Sequence, residues 1–348
     1  MKAGYHQYLD RESGKIFTEK LYWDGVIRFL YSSLRESAPL LFRAVTGARI
    51  SSLLGFLNYD HFLSGKISGH KEFMSACGID LAESLESPDR LDTLKKIFQR
   101  KIRYWECRPM PEDCGAMVSP ADAKVLVGSF CETSSLFIKG KFFDYEELLR
   151  RDKTHWLKAF REGDFAVFRL TPDKYHYNHT PVAGRVADFY EIRGQYHSCN
   201  PEAVISVVTP YSKNKRVVTV IDTDVPGGTG VGLVAMVEVV ALMIGGIIQC
   251  YSAEKYEDPV PIHRGLFLKK GAPKSLFRPG SSTDILIFQQ GRVNFSEDIV
   301  RNLRRPNVES RYTNGFGQYL VETDVKVRSL IGQALNPLPS LTSDGDAP

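Results

Sequence analysis

The segment that most restricts the fold of this chain is Leu276–Phe288, with the sequence LFRPGSSTDILIF. After Thr283, the residues Ile285, Ile287 and Phe288 are β-formers with little polarity and no helix cap ahead of them, so they predict a buried strand. Gly280 belongs to a turn, and Ser281 and Ser282 therefore lie where a tight turn joins that strand. A strained turn can aim a hydroxyl group, and this position suits attack by a serine on its own preceding carbonyl. By residue preference alone, Gly-Ser-Ser-Thr also fits an ordinary polar turn.

The composition is that of a folded protein with a sizeable core. The chain has 348 residues, of which 43% are hydrophobic and 25% charged, enough for one large domain or two moderate ones. Its 45 lysines and arginines against 41 aspartates and glutamates give a net charge of +4. This excess is too small and too dispersed to indicate a nucleic-acid partner, although it is compatible with an anionic membrane surface.

The cysteines and the first residues indicate the cellular compartment. The six cysteines are scattered and contain no Cys-x-x-Cys pair, so they predict neither a zinc site nor a disulfide framework. Residues 1–15 lack the apolar core of a signal peptide, so no export signal is predicted. We therefore expect a cytoplasmic protein with reduced thiols.

Two stretches near the N-terminus have helical periodicity. Residues 22–60 place apolar side chains on one face, and residues 88–104 do the same with basic side chains opposite. These apolar faces fit either a protein core or a bilayer surface. A hinge at Pro109–Gly115 separates a helical region at 1–110, a candidate for membrane association, from a β-rich catalytic domain at 111–335. The prediction is an α+β fold.

Two histidines follow a predicted strand. Phe165–Leu170 alternates as a strand and leads into a segment that contains His176 and His179. A serine hydroxyl is a poor nucleophile until a base takes its proton, and histidine titrates near neutrality. Histidines at this spacing also occur as metal ligands, but no third acidic or cysteine ligand stands nearby, so no metal is predicted.

The remaining segments carry weaker signals. Residues 231–250 are long and apolar enough for a membrane span, but Glu238 near the middle and a Gly-Gly pair favour two short strands. The glycine-rich residues 226–232 lack the spacing of a nucleotide-binding loop and predict a flexible turn. One further strand is predicted within 321–332, and the tail 336–348 is predicted to be disordered.

Five segments carry motifs that occur together in one family. Pro172–Pro181 has the pattern Pro-x-x-Tyr-His-x-x-His-x-Pro, and Gly280–Thr283 precedes an apolar strand and Gln-Gly-Arg-Val. Ser119–Ala123 reads Ser-Pro-Ala-Asp-Ala, where the family has glycine last, and this alanine requires a negative φ. Asn214–Val218 has lysine in place of the family's glutamate, and Phe98–Pro109 matches its lead-in. Taken in their order along the chain, these segments resemble those of the phosphatidylserine decarboxylases.

The resemblance implies a proenzyme that cleaves itself without hydrolysis. In this family a serine Oγ attacks the preceding carbonyl, and β-elimination of the ester leaves a pyruvoyl group at the new N-terminus. Counting back from the strand places the reactive serine at Ser282 and the cleavage at Ser281-Ser282. Counting by the family's Gly-Ser bond gives Gly280-Ser281, with Ser281 as the alternative pyruvoyl serine. That choice shifts the strand by one residue and turns every side chain to the other face, so Ser282 is favoured.

The resemblance also implies the roles of three further residues. His179 is the base for self-cleavage, and His176 lies in the substrate pocket with a role in decarboxylation. Asp122 acts with them and would fix the tautomer of His179. The pyruvoyl group replaces pyridoxal phosphate as electron sink, so no outside cofactor is expected.

The expected activity is decarboxylation of phosphatidylserine to phosphatidylethanolamine by a peripheral protein of the cytoplasmic membrane. Its expected partners are phosphatidylserine, an anionic membrane surface and its own cleaved small chain, with no nucleic acid. Two alternatives stay open. The first is a pyruvoyl-dependent decarboxylase of a soluble amino acid, such as an aromatic one. The second is an unprocessed, inactive relative that binds lipid or a partner, suggested by Ala123, Lys215 and Ser281, which all depart from the family pattern.

Overall fold

The computed structural model describes residues 5–21, 24–29, 31, 37, 42, 46–47, 65–67, 69–131, 142–207, 209–241, 246–278 and 282–335. These residues form helices around extensive, mainly antiparallel sheets, which confirms the α+β prediction. The predicted cleavage bonds, most of the 22–60 stretch and the tail 336–348 lie outside the described residues.

The strands are, in chain order, β1 (Gln7–Asp10), β2 (Ile16–Thr18), β3 (Ala116–Val118), β4 (Ala123–Ser129), β5 (Asp164–Leu170), β6 (Tyr177–His179), β7 (Gly184–Ile192), β8 (Arg216–Asp222), β9 (Leu233–Val240), β10 (Ile247–Gln249), β11 (Phe267–Leu268), β12 (Pro273–Phe277), β13 (Ser282–Phe288), β14 (Val293–Phe295), β15 (Thr323–Val325) and β16 (Leu330–Ala334). In the described part they form a ten-stranded sheet of order β11-β7-β8-β9-β13-β5-β4-β15-β1-β2. Two three-stranded sheets have the orders β10-β12-β6 and β14-β16-β3.

The helices are short and lie between the strands. They are α1 (Asp24–Phe29), α2 (His70–Ala76), α3 (Leu94–Phe98), α4 (Tyr104–Cys107), α5 (Tyr145–Leu149), α6 (Thr154–Ala159), α7 (Pro201–Ser206), α8 (Pro210–Lys213), α9 (Glu297–Leu303) and α10 (Arg311–Phe316). Within the described ranges, no helix has the length and apolarity needed to span a bilayer.

Strand β13 occupies the middle of the large sheet. It pairs along its whole length with β5 on one side and β9 on the other, and all seven of its residues are buried. Its side chains alternate between two apolar cores: Ile285 and Ile287 enter one, whereas Leu286 and Phe288 enter the other. A strand covered on both faces needs apolar residues at nearly every position, which explains the long apolar run after the turn.

The β10-β12-β6 sheet covers one face of the large sheet. The Glu238 side chain on β9 accepts hydrogen bonds from Asn178 on β6, Gln249 on β10 and Ser275 on β12. Asp284 lies directly opposite Glu238 in the β13–β9 pair, so its side chain points to the same face. This layering brings polar groups from five strands together at the face where β13 begins.

The N-terminal part differs from the prediction of a helical region. Residues 7–10 and 16–18 are strands β1 and β2, and β1 joins the large sheet through a parallel pairing with β15. The predicted 88–104 helix is broken, because Thr93 is extended, bridges to Lys66 and caps α3 by accepting a hydrogen bond from the Lys96 N–H. The β1–β15 pairing and the Thr93–Lys66 bridge join residues distant in sequence, so local periodicity does not reveal them.

Several strand predictions are confirmed. Residues 231–250 contain β9 and β10, with 242–245 outside the described residues, and Phe165–Leu170 lies within β5. The single strand predicted within 321–332 is divided into β15 and β16, which belong to different sheets. Ala123 is not among the residues with positive φ, so a Cβ fits where the family pattern has glycine.

Candidate active site

Ser282 is the first residue of β13 and is held from both sides. It pairs with Leu170 at the end of β5 and with Val240 at the end of β9. Its side chain is fully buried, and its Oγ has no hydrogen-bond partner among the described residues. A buried hydroxyl group without a partner is uncommon in native structures. Ser282 therefore presents an unused hydroxyl at a fixed strand end, immediately after the predicted cleavage bond.

His179 ends β6 and is also fully buried. Its Nδ1 lies 2.8 Å from the Gly271 carbonyl oxygen, and its Nε2 lies 2.9 Å from the Tyr175 hydroxyl. A carbonyl can only accept, so Nδ1 carries the proton and Nε2 presents its lone pair to Tyr175. Burial lowers the pKa of His179 to about 3, so the ring is neutral near pH 7. This arrangement provides a neutral imidazole whose basic nitrogen is Nε2, which accepts a hydrogen bond from Tyr175.

Asp122 is held by a different set of contacts. Arg108 donates to both carboxylate oxygens, at 3.1 Å from Nε and 2.8 Å from Nη2, and the Val327 N–H donates at 2.8 Å. Burial alone would raise the pKa of Asp122, but the Arg108 guanidinium lowers it to about 2. In the part of the chain that the structure describes, no hydrogen bond joins Asp122 to His179. We expected Asp122 to fix the tautomer of His179, and the structure corrects this: the Gly271 carbonyl holds the Nδ1 proton and so fixes the tautomer.

A backbone hydrogen bond nevertheless joins His179 to the segment that contains Asp122. The His179 N–H donates to the carbonyl of Pro120, two residues before Asp122, at 2.7 Å. The Asp122 charge favours the protonated form of His179, although burial outweighs it. The structure therefore brings the two residues to one junction, and their roles in self-cleavage stay predictions.

His176 is the second neutral histidine of the site. Its ring is fully buried and stacks on Phe98, with a centroid distance of 3.5 Å and an interplanar angle of 25°. Neither ring nitrogen has a hydrogen-bond partner of normal geometry among the described residues. Burial, and after it the charge of Arg100, lower the pKa of His176 well below its ordinary value. The His176 ring thus keeps hydrogen-bonding capacity that its described neighbours do not use.

The chain connections relate the histidines to Ser282. Leu170, which pairs with Ser282, ends β5, and the following residues carry His176 and then His179. The Phe277 N–H at the end of β12 donates to the His176 carbonyl at 3.1 Å, and Phe277 lies five residues before Ser282. The strand beside Ser282 and the segment leading to it thus both lead to the histidine loop. Within the described residues, the Ser282 Oγ is hydrogen-bonded to neither histidine.

A buried acidic pair on the same face was not predicted from the sequence. Glu238 forms an ion pair with Lys274 at 2.7 Å, and both side chains are fully buried. Asp284 lies opposite Glu238 and two residues after Ser282, and neither of its carboxyl oxygens has a hydrogen-bond partner among the described residues. Burial, followed by the charge of Glu238, raises the pKa of Asp284 well above its ordinary value, which favours the neutral carboxyl. The sequence signal that could have indicated this pair is an acidic residue within each apolar strand, Glu238 in β9 and Asp284 in β13.

Asp284→Asn is expected to change the pH dependence of stability. An acid whose pKa is higher in the folded protein favours folding at low pH, and this contribution falls as the pH rises toward the folded-state pKa. Asparagine keeps the shape of the neutral carboxyl and cannot ionise. The variant should therefore gain stability relative to its parent between about pH 4 and pH 8, by at most ~1.4 kcal/mol per pH unit.

Urea unfolding at several pH values measures this effect. The measurement belongs in a Ser282→Ala background, because an uncut chain is needed for reversible unfolding. The exposed Asp258→Asn is the matched control and should show little pH dependence. A stability difference for Asp284→Asn that is the same at pH 4 and pH 8 would contradict a neutral, buried carboxyl.

One histidine and two glutamates that could together bind a metal ion lie elsewhere in the fold. The ligand atoms of His6, Glu19 and Glu322 lie within 4.8 Å of one another. Arg169 donates to Glu19 and to Glu322 at 2.9 Å each, and Lys124 lies 3.6 Å from Glu19. The acidic groups are thus already neutralised by cations, and the cluster ties the N-terminal segment to β5.

Comparisons with known proteins assign the chain to a family. The family model described as phosphatidylserine decarboxylase matches residues 94–311. A phosphatidylserine decarboxylase proenzyme of Fusobacterium nucleatum is 30% identical over 312 residues, covering 89% of this chain and 95% of that protein. One of Chlamydia trachomatis is 29% identical over 301 residues, covering 86% of this chain and 92% of that protein. Phosphatidylserine decarboxylase proenzyme 3 of Schizosaccharomyces pombe is 27% identical over 339 residues, covering 94% of this chain and 31% of that protein.

The fold, the buried serine and the matched segments define a carboxy-lyase of the proenzyme type. The chain belongs to the phosphatidylserine decarboxylase family. The resemblance recognised from the sequence motifs is thereby confirmed.

Proposed function

We propose that the chain cleaves itself between Ser281 and Ser282 and then decarboxylates phosphatidylserine to phosphatidylethanolamine. The observation that carries this proposal is the Ser282 hydroxyl, which is buried, has no partner among the described residues and lies at the first position of a strand held on both sides. A residue in that position keeps its place after the preceding bond is cut. The site therefore suits a group that must stay fixed while a substrate reacts with it.

In self-cleavage, the neutral His179 accepts the proton of the Ser282 hydroxyl as the oxygen attacks the carbonyl carbon of residue 281. The peptide C–N bond breaks, an ester forms and the nitrogen of residue 282 takes up a proton. Loss of the α-proton of residue 282 then breaks the Cβ–O bond and releases the carboxylate of residue 281. Hydrolysis of the remaining enamine releases ammonia and leaves a pyruvoyl group at position 282.

A pyruvoyl group supplies a carbonyl that condenses with the substrate amine and withdraws electrons as carbon dioxide leaves. The residues around it bind and orient the substrate. The His176 ring is excluded from water and its nitrogens have no partner of normal geometry among the described residues, which suits it to hold or deliver a proton at the reacting carbon. Asp122 holds Arg108 and the turn at Val327, and so supports the junction on which His179 lies.

The proposal includes a location and a division of the chain. A peripheral position on the cytoplasmic membrane would give access to phosphatidylserine, and the net charge of +4 is compatible with an anionic surface. Residues 1–110 would provide the membrane-associating part, 111–335 the catalytic domain and 336–348 a disordered tail. Residues 282–348 would remain with the larger chain as the small chain.

Purified protein tests this function directly. Its mass under denaturing conditions should show two chains, residues 1–281 and 282–348, with the small chain lighter than its sequence by the conversion of serine to pyruvoyl. Vesicles containing phosphatidylserine should yield phosphatidylethanolamine and carbon dioxide. Carbon dioxide from a free aromatic amino acid alone would establish the soluble-substrate alternative. A single uncut chain that binds vesicles without releasing carbon dioxide would establish the inactive relative.

A further inference from the structure

Arg100 is a buried cation beside the histidine loop. It follows α3 and is 7% exposed. Its Nη1 donates to the Ile97 carbonyl at 3.0 Å, and its Nη2 donates to the Asp173 carbonyl at 3.2 Å. A guanidinium has five N–H donors, so these two backbone contacts leave much of its capacity unused.

Arg100 differs from the neighbouring Arg108 in its ion-pair partners. Among the described residues, no acidic oxygen lies within ion-pair distance of it, whereas the nearby Arg108 binds both Glu83 and Asp122. Burial lowers the pKa of Arg100, and the charges of Asp122, Asp173 and Glu83 oppose this effect from a longer range. Arginine stays protonated in proteins, so the site holds a charged fork that lacks a contacting anion. A buried charge without such a partner is destabilising, which favours an anion supplied from outside.

The position of Arg100 relates this anion to the active site. Asp173, which accepts its hydrogen bond, and His176 belong to the same loop. Phe98, two residues before Arg100, stacks on the His176 ring. One short segment therefore places an apolar wall and an unpaired cation next to the unpartnered histidine.

We propose that Arg100 forms an anion subsite that binds the phosphodiester of the substrate and positions the serine headgroup against His176. This inference rests on the proposed function. The substrate carries two anions, and the departing carboxylate is the less suitable one. Its charge moves away in the transition state, so a buried guanidinium on it would stabilise the ground state more than the transition state. The charge of the phosphodiester is unchanged throughout the reaction, and a planar fork matches its oxygens.

Arg100→Gln and Arg100→Lys test the subsite. With soluble dihexanoyl phosphatidylserine, Arg100→Gln should raise KM roughly 10- to 100-fold, while kcat changes by less than about threefold, because uniform binding is lost. Arg100→Lys should recover part of the affinity, since it keeps the charge and loses the fork. Intact mass should show normal self-cleavage in both variants. The exposed Arg90→Gln removes the same charge from the same region and should behave as the wild type.

Calorimetry with small ligands identifies which anion is bound and does not require turnover. The wild type should bind glycerophosphoethanolamine more tightly than ethanolamine, and Arg100→Gln should abolish this difference. Binding of L-serine, which carries only the carboxylate, should be unaffected by the substitution. Loss of L-serine binding instead, or equal binding of glycerophosphoethanolamine by wild type and Arg100→Gln, would overturn the proposal. If inorganic phosphate binds as tightly as glycerophosphoethanolamine, the ligand of the subsite is free phosphate, and the assignment to the substrate phosphodiester is overturned. If the wild type decarboxylates no phosphatidylserine, the proposed function fails, and the calorimetry still decides the subsite.

Discussion

Ser282→Ala is expected to leave the chain at its full mass and to reduce carbon dioxide release by at least about 1,000-fold. Alanine removes the nucleophile without adding volume, so the buried strand end can keep its structure. The Oγ of Ser282 has no hydrogen-bond partner among the described residues, and its removal therefore leaves none of them unpaired. Mass spectrometry under denaturing conditions and release of labelled carbon dioxide measure the two effects.

Ser281→Ala is the matched control, because it removes the neighbouring hydroxyl and keeps the pyruvoyl precursor. This variant should still divide into residues 1–281 and 282–348 and retain activity. The opposite pair of results, an uncut Ser281→Ala and a cleaved Ser282→Ala, would move the cut to Gly280-Ser281. The strand register would then have to accommodate one more residue before β13.

His179→Ala and His176→Ala are expected to separate the two reactions. Loss of His179 removes the base, so the precursor should stay whole. Loss of His176 should allow cleavage and reduce decarboxylation by about 100-fold or more, the usual contribution of a positioned acid or base. Mass spectrometry after timed incubation reports cleavage, and activity is normalised to the cleaved fraction.

The pH dependence of cleavage tests the same assignment. Burial depresses the pKa of His179 to about 3, so the neutral base is lost only as the pH falls toward that value. The cleavage rate should therefore be nearly constant between about pH 5 and pH 8 and show no step near the ordinary histidine value of about 6.5. The exposed His155→Ala should match the wild type. Normal cleavage in His179→Ala would assign the base to another residue.

The strands around the site could be predicted because their residues follow a local rule. Residues 285–288 are all apolar, which is what a central strand covered on both faces requires. Glu238 argued against a membrane span, and it lies on a strand where Lys274 neutralises it. The order of motifs was sufficient for the family, since His176, His179 and Ser282 are each tied to strand ends.

The contacts that define the chemistry could not be predicted, because they join residues far apart in sequence. Gly271 lies 92 positions from His179 and fixes its tautomer, a role that the motifs assigned to Asp122. His6 contacts Glu322 at 2.8 Å, and this contact belongs to the pairing that makes the first residues strands. Arg100 has no sequence feature that marks it as lacking a carboxylate partner. Such facts depend on which segments become neighbours.

The central place of β13 sets an order of events. Under the proposed cut, β13 becomes the first strand of the small chain while lying between β9 and β5, and β15 of the same chain lies between β4 and β1. The two chains are thus interleaved and cannot part unless the sheet is dismantled. Before the cut, β13 is covalently linked to its neighbours, so its insertion into the sheet costs only the entropy of closing a loop. After the cut, the same insertion requires two separate molecules to associate. Cleavage would therefore make unfolding irreversible. The lifetime of the cleaved protein would depend on how slowly it unfolds, because the separated chains no longer have the covalent link that assembled the sheet.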